Sequence, residues 1–478
     1  MESVWSKTCE IPGRPRLTGQ VKTQAAVIGA GMAGMLIAAA LEEAGLDVIV
    51  LEADRIAGGQ SRNTTAKITA QHGLVYERLI KDFGRDRAWQ YAQANLRAVE
   101  SFRRMIKDGN IDCDFEERSA YVYGDSLEQL ERETAAARTL GLPASFVERP
   151  ELHIPAAGAV AFSRQAQFHP LKFIRALSEK LKIFEHSPVK QIEGKRLITP
   201  EGSVQAEHIV FACHYPFVNF PGMYFARMYQ ERSYVLALEG NARVNGMWIG
   251  AEEGSCSLRN YGNLLFLGGE NHRTGENRKG GCYDRLQQKA AKWFPGCREV
   301  ARWSAQDCMS ADRVPYIGRF SQDRPHWYVA TGFNKWGMSS SMVSSMIIRD
   351  MILGKDNSYA EVFDPGRVDL ETVTGVVAEG AQAVKGLAKR FFQIPAKAAA
   401  EIAPGQGGIV FLNGEKLGVY KDGEGKLHPV DIRCPHLGCQ LEWNSDELSW
   451  DCPCHGSRFD PYGKLISGPA QEDIEIGE

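Results

Sequence analysis

The sequence lacks several features that would place it in common classes of protein. No apolar run approaches the roughly 18 residues that span a membrane, and residues 1–16 have no apolar core of a signal peptide. The net charge of −3 gives no basic footprint for nucleic acid. Of the 11 cysteines, those before residue 430 are scattered singly, which is not a secreted disulfide framework. We therefore expect a cytoplasmic protein without a transmembrane segment or a nucleic-acid partner.

Two short motifs near the C-terminus combine thiols with imidazoles. CPHLGC runs from Cys434 and CPCHGS from Cys452, which gives C-x-H and C-x-x-H separated by residues 437–451. Soft sulfurs and neutral ring nitrogens suit an asymmetric two-iron cluster, with Cys434 and Cys452 on one iron and His436 and His455 on the other. A structural zinc site is the alternative, since two cysteines and two histidines also satisfy tetrahedral zinc.

The residues around these ligands favour iron, and the segment resembles a Rieske [2Fe-2S] domain. The resemblance implies a disulfide between Cys439 and Cys454 that clamps the two ligand loops. It also implies that the hydroxyl of Ser457 donates to a bridging sulfide. A tyrosine that donates to a cysteine sulfur in that group is replaced by Phe459. Because a lost donor destabilises the reduced cluster, we expect a lower reduction potential here.

A dinucleotide-binding pattern opens the chain. The apolar run Ala25–Ile28 precedes GAGMAG, a helical apolar pattern follows, and Val48–Leu51 indicates a second buried strand that ends at Glu52. The three glycines permit a tight turn, backbone approach to a pyrophosphate at the helix N-terminus, and close packing of helix on strand. The acidic residue suits the ribose hydroxyls. The candidate residues are Gly29, Gly31, Gly34 and Glu52.

Later segments resemble the FAD-dependent oxidoreductases of the D-amino-acid oxidase, glycine oxidase and sarcosine oxidase superfamily. They are the second glycine turn after Glu52, the stretch ADRVPYIGRF from Ala311, and ATGFNKWGMSSSM from Ala330. In sarcosine-type dehydrogenases a histidine tethers the flavin where Asn63 stands here, so we expect non-covalent FAD. The resemblance adds these residues to the cofactor site: Gly59, Ser61, Arg62, Asn63, Val189, Gly332, Gly337 and Met338.

The length of 478 residues allows about three domains. We predict an α/β plus all-β protein: a Rossmann-like FAD-binding domain with an inserted antiparallel-sheet substrate domain, followed by a small Rieske β-sandwich. Period-two patterning in residues 224–267 supports the antiparallel sheet. The predicted division is 20–75, 155–220 and 305–367 for FAD, 76–154 and 221–304 for the substrate domain, 368–406 for a linker with a helix, and 407–478 for the Rieske domain.

Candidates for substrate chemistry are fewer. Lys335 lies in the glycine turn before a predicted helix, where its cation could stabilise a reduced flavin, although a plain salt bridge is the alternative. His272 could bind substrate or a proton, or be a polar turn residue. Arg259 or Arg232 could clamp a substrate carboxylate, whereas a surface arginine is the commoner case. Lys335, His272 and Arg259 are our catalytic candidates.

Two cofactors of different electron stoichiometry indicate the function. The resemblance implies an amine, imino acid or amino acid that gives a hydride to FAD, with single electrons leaving through the cluster. The sequence has no second dinucleotide-binding fingerprint, so NAD(P)H is not an obvious partner. We therefore expect a dehydrogenase that uses an external acceptor such as a ferredoxin-like protein or a quinone. The alternatives are a reductase that runs from an external donor through the cluster, and a redox carrier or sensor without amine turnover.

Overall fold

A mostly parallel sheet is built around the first predicted strand. The computed structural model describes residues 1–277, 279–367, 399–412 and 415–474. The sheet order is β16-β17-β10-β1-β2-β7, and β2 is apolar and buried along its whole length, as expected for a strand covered on both faces. Two further strands, β8 and β9, pair beside β10. The bounds are β1 Gly19–Ile28, β2 Val48–Leu51, β7 Lys182–Phe184, β8 Gln191–Glu193, β9 Arg196–Ile198, β10 Gly202–Phe211, β16 Tyr316–Arg319 and β17 Trp327–Thr331.

Two helices cover one face of this sheet and point their N-termini towards its carboxyl edge. They are α2 (Met32–Glu43) and α7 (Gly337–Ile352), which pack against each other. Both begin directly after glycine-containing turns, as the sequence predicts. Among the described residues the other helices are α1 Val4–Thr8, α3 Tyr76–Asp108, α4 Leu127–Thr139, α5 Pro170–Ser178, α6 Cys282–Trp293 and α8 Ala360–Phe363, and α3 is interrupted by a non-helical residue at Gly84. Within the described residues, none of the helices has the length and apolarity to cross a membrane.

A second, largely antiparallel sheet has nine strands in the order β15-β11-β14-β13-β12-β4-β6-β3, with β5 paired to β6. Its strands β3 and β6 come from ranges that we assigned to the FAD domain, because β6 pairs with β4 of the predicted substrate range and β3 pairs with β6. The bounds are β3 Lys67–Ile68, β4 Glu116–Gly124, β5 Ala144–Glu148, β6 Gly158–Gln167, β11 Met228–Glu239, β12 Met247–Gly250, β13 Ser257–Tyr261, β14 Leu264–Arg273 and β15 Arg298–Ser310.

Two small antiparallel sheets form the C-terminal part. One contains β18 (Gln406–Leu412), β19 (Glu415–Lys421) and β20 (Leu427–Asp431). The other contains β21 (Glu442–Asn444), β22 (Ser449–Asp451), β23 (Arg458–Phe459) and β24 (Leu465–Ser467). A core that includes the four cysteines, Trp450 and Phe459 lies inside this part. The predicted linker helix at 371–392 lies outside the described residues.

Candidate functional site

A cavity of about 1090 Å³ extends from the dinucleotide turn to the antiparallel sheet. This exceeds the roughly 300–1,000 Å³ of ordinary small-molecule pockets. The first turn and Glu52 line one end, and residues of β11, β13 and β14 line the other. Residues 464–471 of the C-terminal part also line it, so the two parts of the chain enclose one space.

The dinucleotide turn has the tight packing that its glycines predict. A Cβ on Gly34 would lie 1.9 Å from the carbonyl oxygen of Gly29, so only glycine lets α2 begin so close to β1. The N-cap residue Gly31 has no side chain that could cap the helix. The Met32 N–H instead donates to Ser61 Oγ at 2.8 Å. The positive end of the helix dipole therefore faces the cavity, as binding of a pyrophosphate requires.

The carboxylate of Glu52 lies at the end of β2 beside this turn. Its oxygens accept from the N–H groups of Ala30 at 2.7 Å and Asp54 at 2.9 Å. Burial raises the pKa of Glu52, and these two backbone donors oppose that shift. The carboxylate is thus held rigidly in the cavity wall, where a ribose hydroxyl could donate to it.

Most residues predicted to bind the cofactor line this cavity. Gly34 and Gly332 do not line it and instead shape the turns beside it: Gly332 has a φ of +66°. The loop that carries Asn63 is tied to the sheet, because Trp303 Nε1 donates to the Asn63 carbonyl at 2.9 Å. The lining residues among the predictions are Gly29, Gly31, Glu52, Gly59, Ser61, Arg62, Asn63, Val189, Gly337 and Met338.

Lys335 lines the cavity immediately before α7. Its ammonium lies 3.0 Å from a carboxylate oxygen of Glu231 on β11. Burial alone would raise the pKa of Glu231, but Lys335, with Arg313 and Tyr229, holds it below its usual range. The plain salt bridge is therefore present, and it fixes a cation at the α7 N-terminus. Its catalytic role stays a prediction.

The other two catalytic candidates do not line the cavity. Arg259 is 1% exposed and donates to the carbonyls of Thr65 and Ala66 at 2.7 and 2.8 Å, so its donors stabilise the backbone. His272 stacks on Tyr234 at 5.6 Å, and its Nε2 has no hydrogen-bond partner among the described residues. Burial lowers its pKa, so it is a neutral ring at neutral pH. These positions favour structural roles, and the catalytic roles remain untested predictions.

Two cavity residues that sequence reasoning missed are ionisable. Lys67 on β3 donates to the Trp248 carbonyl at 3.0 Å and to Ser257 Oγ, and burial, with Arg259 nearby, lowers its pKa well below the ordinary value. Asp307 on β15 faces the same cavity. Both are charged residues on strands whose alternate side chains face inward. That pattern could have identified them, but only with knowledge of which face of each strand points to the cavity.

The predicted iron ligands converge in the C-terminal part. The thiols of Cys434 and Cys452 hydrogen-bond each other, which lowers the pKa of Cys434 and raises that of Cys452. The Nδ1 atoms of His436 and His455 lie 3.2 Å apart. Burial lowers the pKa of His436 to about 4 and that of His455 to about 3, so both rings are neutral and offer lone pairs to a metal.

The surroundings of these ligands also fit a cluster. Cys439 and Cys454 form a disulfide and so offer no free thiolate, which leaves Cys434 and Cys452 as the sulfur ligands. The Ser457 hydroxyl hydrogen-bonds Cys434 and accepts from the Ala470 N–H at 3.0 Å. Phe459 is fully buried in the same core and brings no donor.

The ligand loops dock directly on the larger part of the chain. His436 Nε2 donates to Asn219 Oδ1 at 2.8 Å, which leaves its Nδ1 lone pair for metal. Gln230 Nε2 donates to the His455 carbonyl at 2.6 Å, and Gln306 Nε2 donates to the Gly456 carbonyl at 2.8 Å. A Cβ on Gly456, whose φ is +80°, would lie 2.7 Å from Gln230 Cβ, so this close contact requires glycine.

A buried ion pair lies beside these contacts. The Arg232 side chain is 1% exposed, and its guanidinium lies 2.8 Å from Glu447 of the C-terminal part. Glu447 also accepts from Ser304 Oγ at 2.7 Å and Tyr283 Oη at 3.0 Å. Arg232, considered from sequence as a carboxylate clamp, therefore binds a carboxylate of its own chain.

Strand β15 separates the cavity from the docked loops. The Gln306 side chain donates to the Gly456 carbonyl, and Gln306 lines the cavity together with its neighbours Ala305 and Asp307. The two candidate cofactor sites share one wall.

Comparison with known families identifies the larger part of the chain. Residues 24–351 match the family model DAO, the FAD dependent oxidoreductases. The chain belongs to this family. Residues 393–476 of this FAD-dependent oxidoreductase match the Rieske [2Fe-2S] domain. The family matches confirm the predicted fold class and both cofactors, FAD and a [2Fe-2S] cluster, in place of a structural zinc ion. Non-covalent attachment of FAD stays a prediction.

Individual relatives cover the whole oxidoreductase or its larger part. It is 33% identical over 493 residues to YhfW of Bacillus subtilis (strain 168), named as a Rieske 2Fe-2S iron-sulfur protein, with 99% of this chain and 97% of that protein covered. The structure resembles glycine oxidase from Geobacillus kaustophilus and L-proline dehydrogenase from P. horikoshii. Each has a TM-score of 0.62 at 18% identity over 73% of this chain, with 99% and 98% of their chains covered. At this identity the likeness shows the fold.

Proposed function

We propose that this protein oxidises an amine, imino acid or amino acid and delivers the electrons singly to an external acceptor. When bound, FAD would supply a hydride acceptor for a C–H group beside nitrogen, and the Rieske cluster would supply one-electron transfer. The observation that carries the proposal is the shared wall: Gln306 contacts a ligand loop of the cluster while adjacent residues line the flavin cavity. Proximity of the two sites suits transfer within one chain.

The substrate class is supported by the solved structures of similar fold. Two of them are named as a glycine oxidase and an L-proline dehydrogenase, so the fold supports oxidation of amino acids in those proteins. We extend this class to the present chain. The acceptor is a ferredoxin-like protein or a quinone, and the cytoplasmic location stays a prediction.

The chain's own residues would prepare the two sites. Glu52 and the α2 N-terminus would hold the ribose and the pyrophosphate, and Lys335 would supply positive charge at the α7 N-terminus. Asn219 and Gln230 would hold the cluster loops against the wall of the cavity. The neutral histidines, His436 and His455, would keep their lone pairs for iron.

An anaerobic titration tests this function. The holoprotein is mixed with a panel of amines and amino acids, including glycine and L-proline, while flavin absorbance and the electron paramagnetic resonance of the cluster are recorded. Flavin bleaching followed by a reduced-Rieske signal is expected. In Cys434→Ser, which lacks a cluster ligand, the same amine should bleach the flavin without that signal.

Other outcomes identify the alternatives. If no amine bleaches the flavin but a reduced ferredoxin reduces first the cluster and then the flavin, the protein works as a reductase. If the cluster is reduced and reoxidised while neither an amine nor a reduced ferredoxin reduces the flavin, the protein is a carrier or sensor. Either result contradicts the proposed direction of flow.

A further inference from the structure

The carboxylate of Asp307 is exposed to the flavin cavity. It lies on β15 next to Gln306, and its open surface faces the cavity. No hydrogen bond or ion pair joins this carboxylate to the residues that the structure describes. The carboxylate oxygens are therefore available to a hydrogen-bond donor or a cation that enters the cavity.

Several charged groups lie around Asp307. On the adjacent strand β11, Glu231 is paired with Lys335 and Arg232 with Glu447. Arg62, on the 3₁₀ helix Gln60–Arg62 that packs against β15, lines the same cavity. Burial raises the pKa of Asp307 to about 7, although Lys335 opposes this, while Glu231 adds to it. The group therefore exchanges a proton near neutral pH, as an acid–base residue should.

We propose that Asp307 binds the ammonium group of a cationic amine substrate and accepts its proton. The inference rests on the proposed function and narrows its substrate to amines that arrive protonated. In this step the N–H bond of the ammonium breaks and an O–H bond forms on the carboxylate. The products are a neutral amine and a protonated Asp307, so charge is conserved and no electron moves. The neutral amine is the form that can release a hydride.

The direction of the pH dependence follows. Below about pH 7 Asp307 is protonated and can neither attract an ammonium nor accept a proton. The rate of flavin reduction should therefore rise as the pH passes through this value. In Asp307→Asn the rate of flavin reduction should no longer rise near pH 7. Only the pH dependence due to ionisation of the amine itself should remain.

The first experiment titrates the oxidised holoprotein without substrate. Flavin absorbance in the wild type should show a transition near pH 7, because a charge appears beside the flavin. Asp307→Asn should lose it and Asp307→Glu should restore it with a displaced midpoint. Asp323→Asn, which changes an exposed carboxylate in the same way, should keep it. A transition that persists in Asp307→Asn, or a wild type without one, overturns the inference.

The second experiment uses glycine, L-proline and benzylamine under anaerobic conditions. Asp307→Asn should reduce the limiting rate of flavin reduction at pH 7 by about 10²-fold or more, as expected for loss of a proton acceptor. Asp307→Glu should recover part of the rate, and Asp323→Asn should match the wild type. Reduction of the Asp307→Asn flavin within twofold of the wild-type rate overturns the inference.

Failure of the inference can be told from failure of the proposed function. Amines that shift the oxidised flavin spectrum through Asp307 but never reduce the flavin support the binding role and contradict oxidation. Amines that reduce wild type and Asp307→Asn equally support oxidation and contradict the role of Asp307. Amines that neither shift nor reduce the flavin contradict both.

Discussion

At the residue scale, the ion pair of Arg232 and Glu447 joins the two parts of the chain, with side chains that are 1% and 12% exposed. Arg232 donates to Gln306 and Ser304 as well as to Glu447, and Glu447 is in turn reached by Arg458 at 3.4 Å. A buried ion pair adds little net stability over apolar packing, but breaking it leaves an uncompensated charge. The pair therefore makes docking of the two parts specific, and substitution of either Arg232 or Glu447 should weaken it.

Glu447→Gln should weaken docking of the Rieske domain by about 3 kcal/mol, because Arg232 would remain charged without its carboxylate. Urea titration followed by the visible circular dichroism of the cluster measures this loss. Glu424→Gln, on an exposed turn, is the matched control and should change nothing. Equal unfolding curves for the two variants would show that the pair does not stabilise the docked state.

Phe459→Tyr should raise the reduction potential of the cluster. The added hydroxyl would supply the donor to a ligand sulfur that the resemblance to Rieske domains implies at this position, and such a bond stabilises the reduced form. Protein-film voltammetry gives the potential directly. A shift to lower potential, or none at all in a variant with an intact cluster spectrum, would contradict the assigned position of Phe459.

At the element scale, the contact between α2 and β1 places the α2 N-terminus at the cavity. Residues 29–31 join the strand to the helix, and a Cβ at Gly34 would meet the Gly29 carbonyl. We expect flavin binding to depend on this arrangement. The contact thus links a packing requirement to anion binding.

Gly34→Ala should lower flavin retention at least tenfold, since the methyl group would lie 1.9 Å from the Gly29 carbonyl oxygen. The ratio of flavin to protein absorbance after gel filtration measures occupancy. In contrast, Gly423→Ala should retain full flavin, because nothing lies within 4 Å of its Cβ. Full occupancy in Gly34→Ala would mean that α2 can move away without loss of the site.

At the scale of the whole molecule, the Rieske domain completes the flavin cavity as well as carrying the cluster. Residues 464–471 line the cavity, and Asn219, Gln230 and Gln306 hold the ligand loops. Docking therefore couples retention of one cofactor to the position of the other.

A protease site inserted between residues 367 and 399 provides a test of this docking. After cleavage the two pieces should stay together on gel filtration at micromolar concentration, because the described contacts do not depend on the connection. The same cleavage in Glu447→Gln should release more of the Rieske domain. Complete separation of the wild-type pieces would indicate that the connection alone holds them.

The sequence by itself determined the features whose chemistry is local. The glycine turn, the strand that ends at Glu52 and the two ligand loops are short segments in which spacing dictates geometry. The structure accordingly brings Cys434, His436, Cys452 and His455 together. The domain boundaries and residue roles that no comparison tests stay predictions.

Only the tertiary structure decided which residues share a surface across long separations. Sequence reasoning missed β4 and Asp307 and proposed Arg232 as a substrate clamp, since strand register and domain docking depend on partners that are distant in the sequence. Pairing of β11 with β15 brings Gln306 to the Rieske loops and Asp307 to the cavity. Long-range pairing is determined by the combined burial of many side chains, which no local pattern contains.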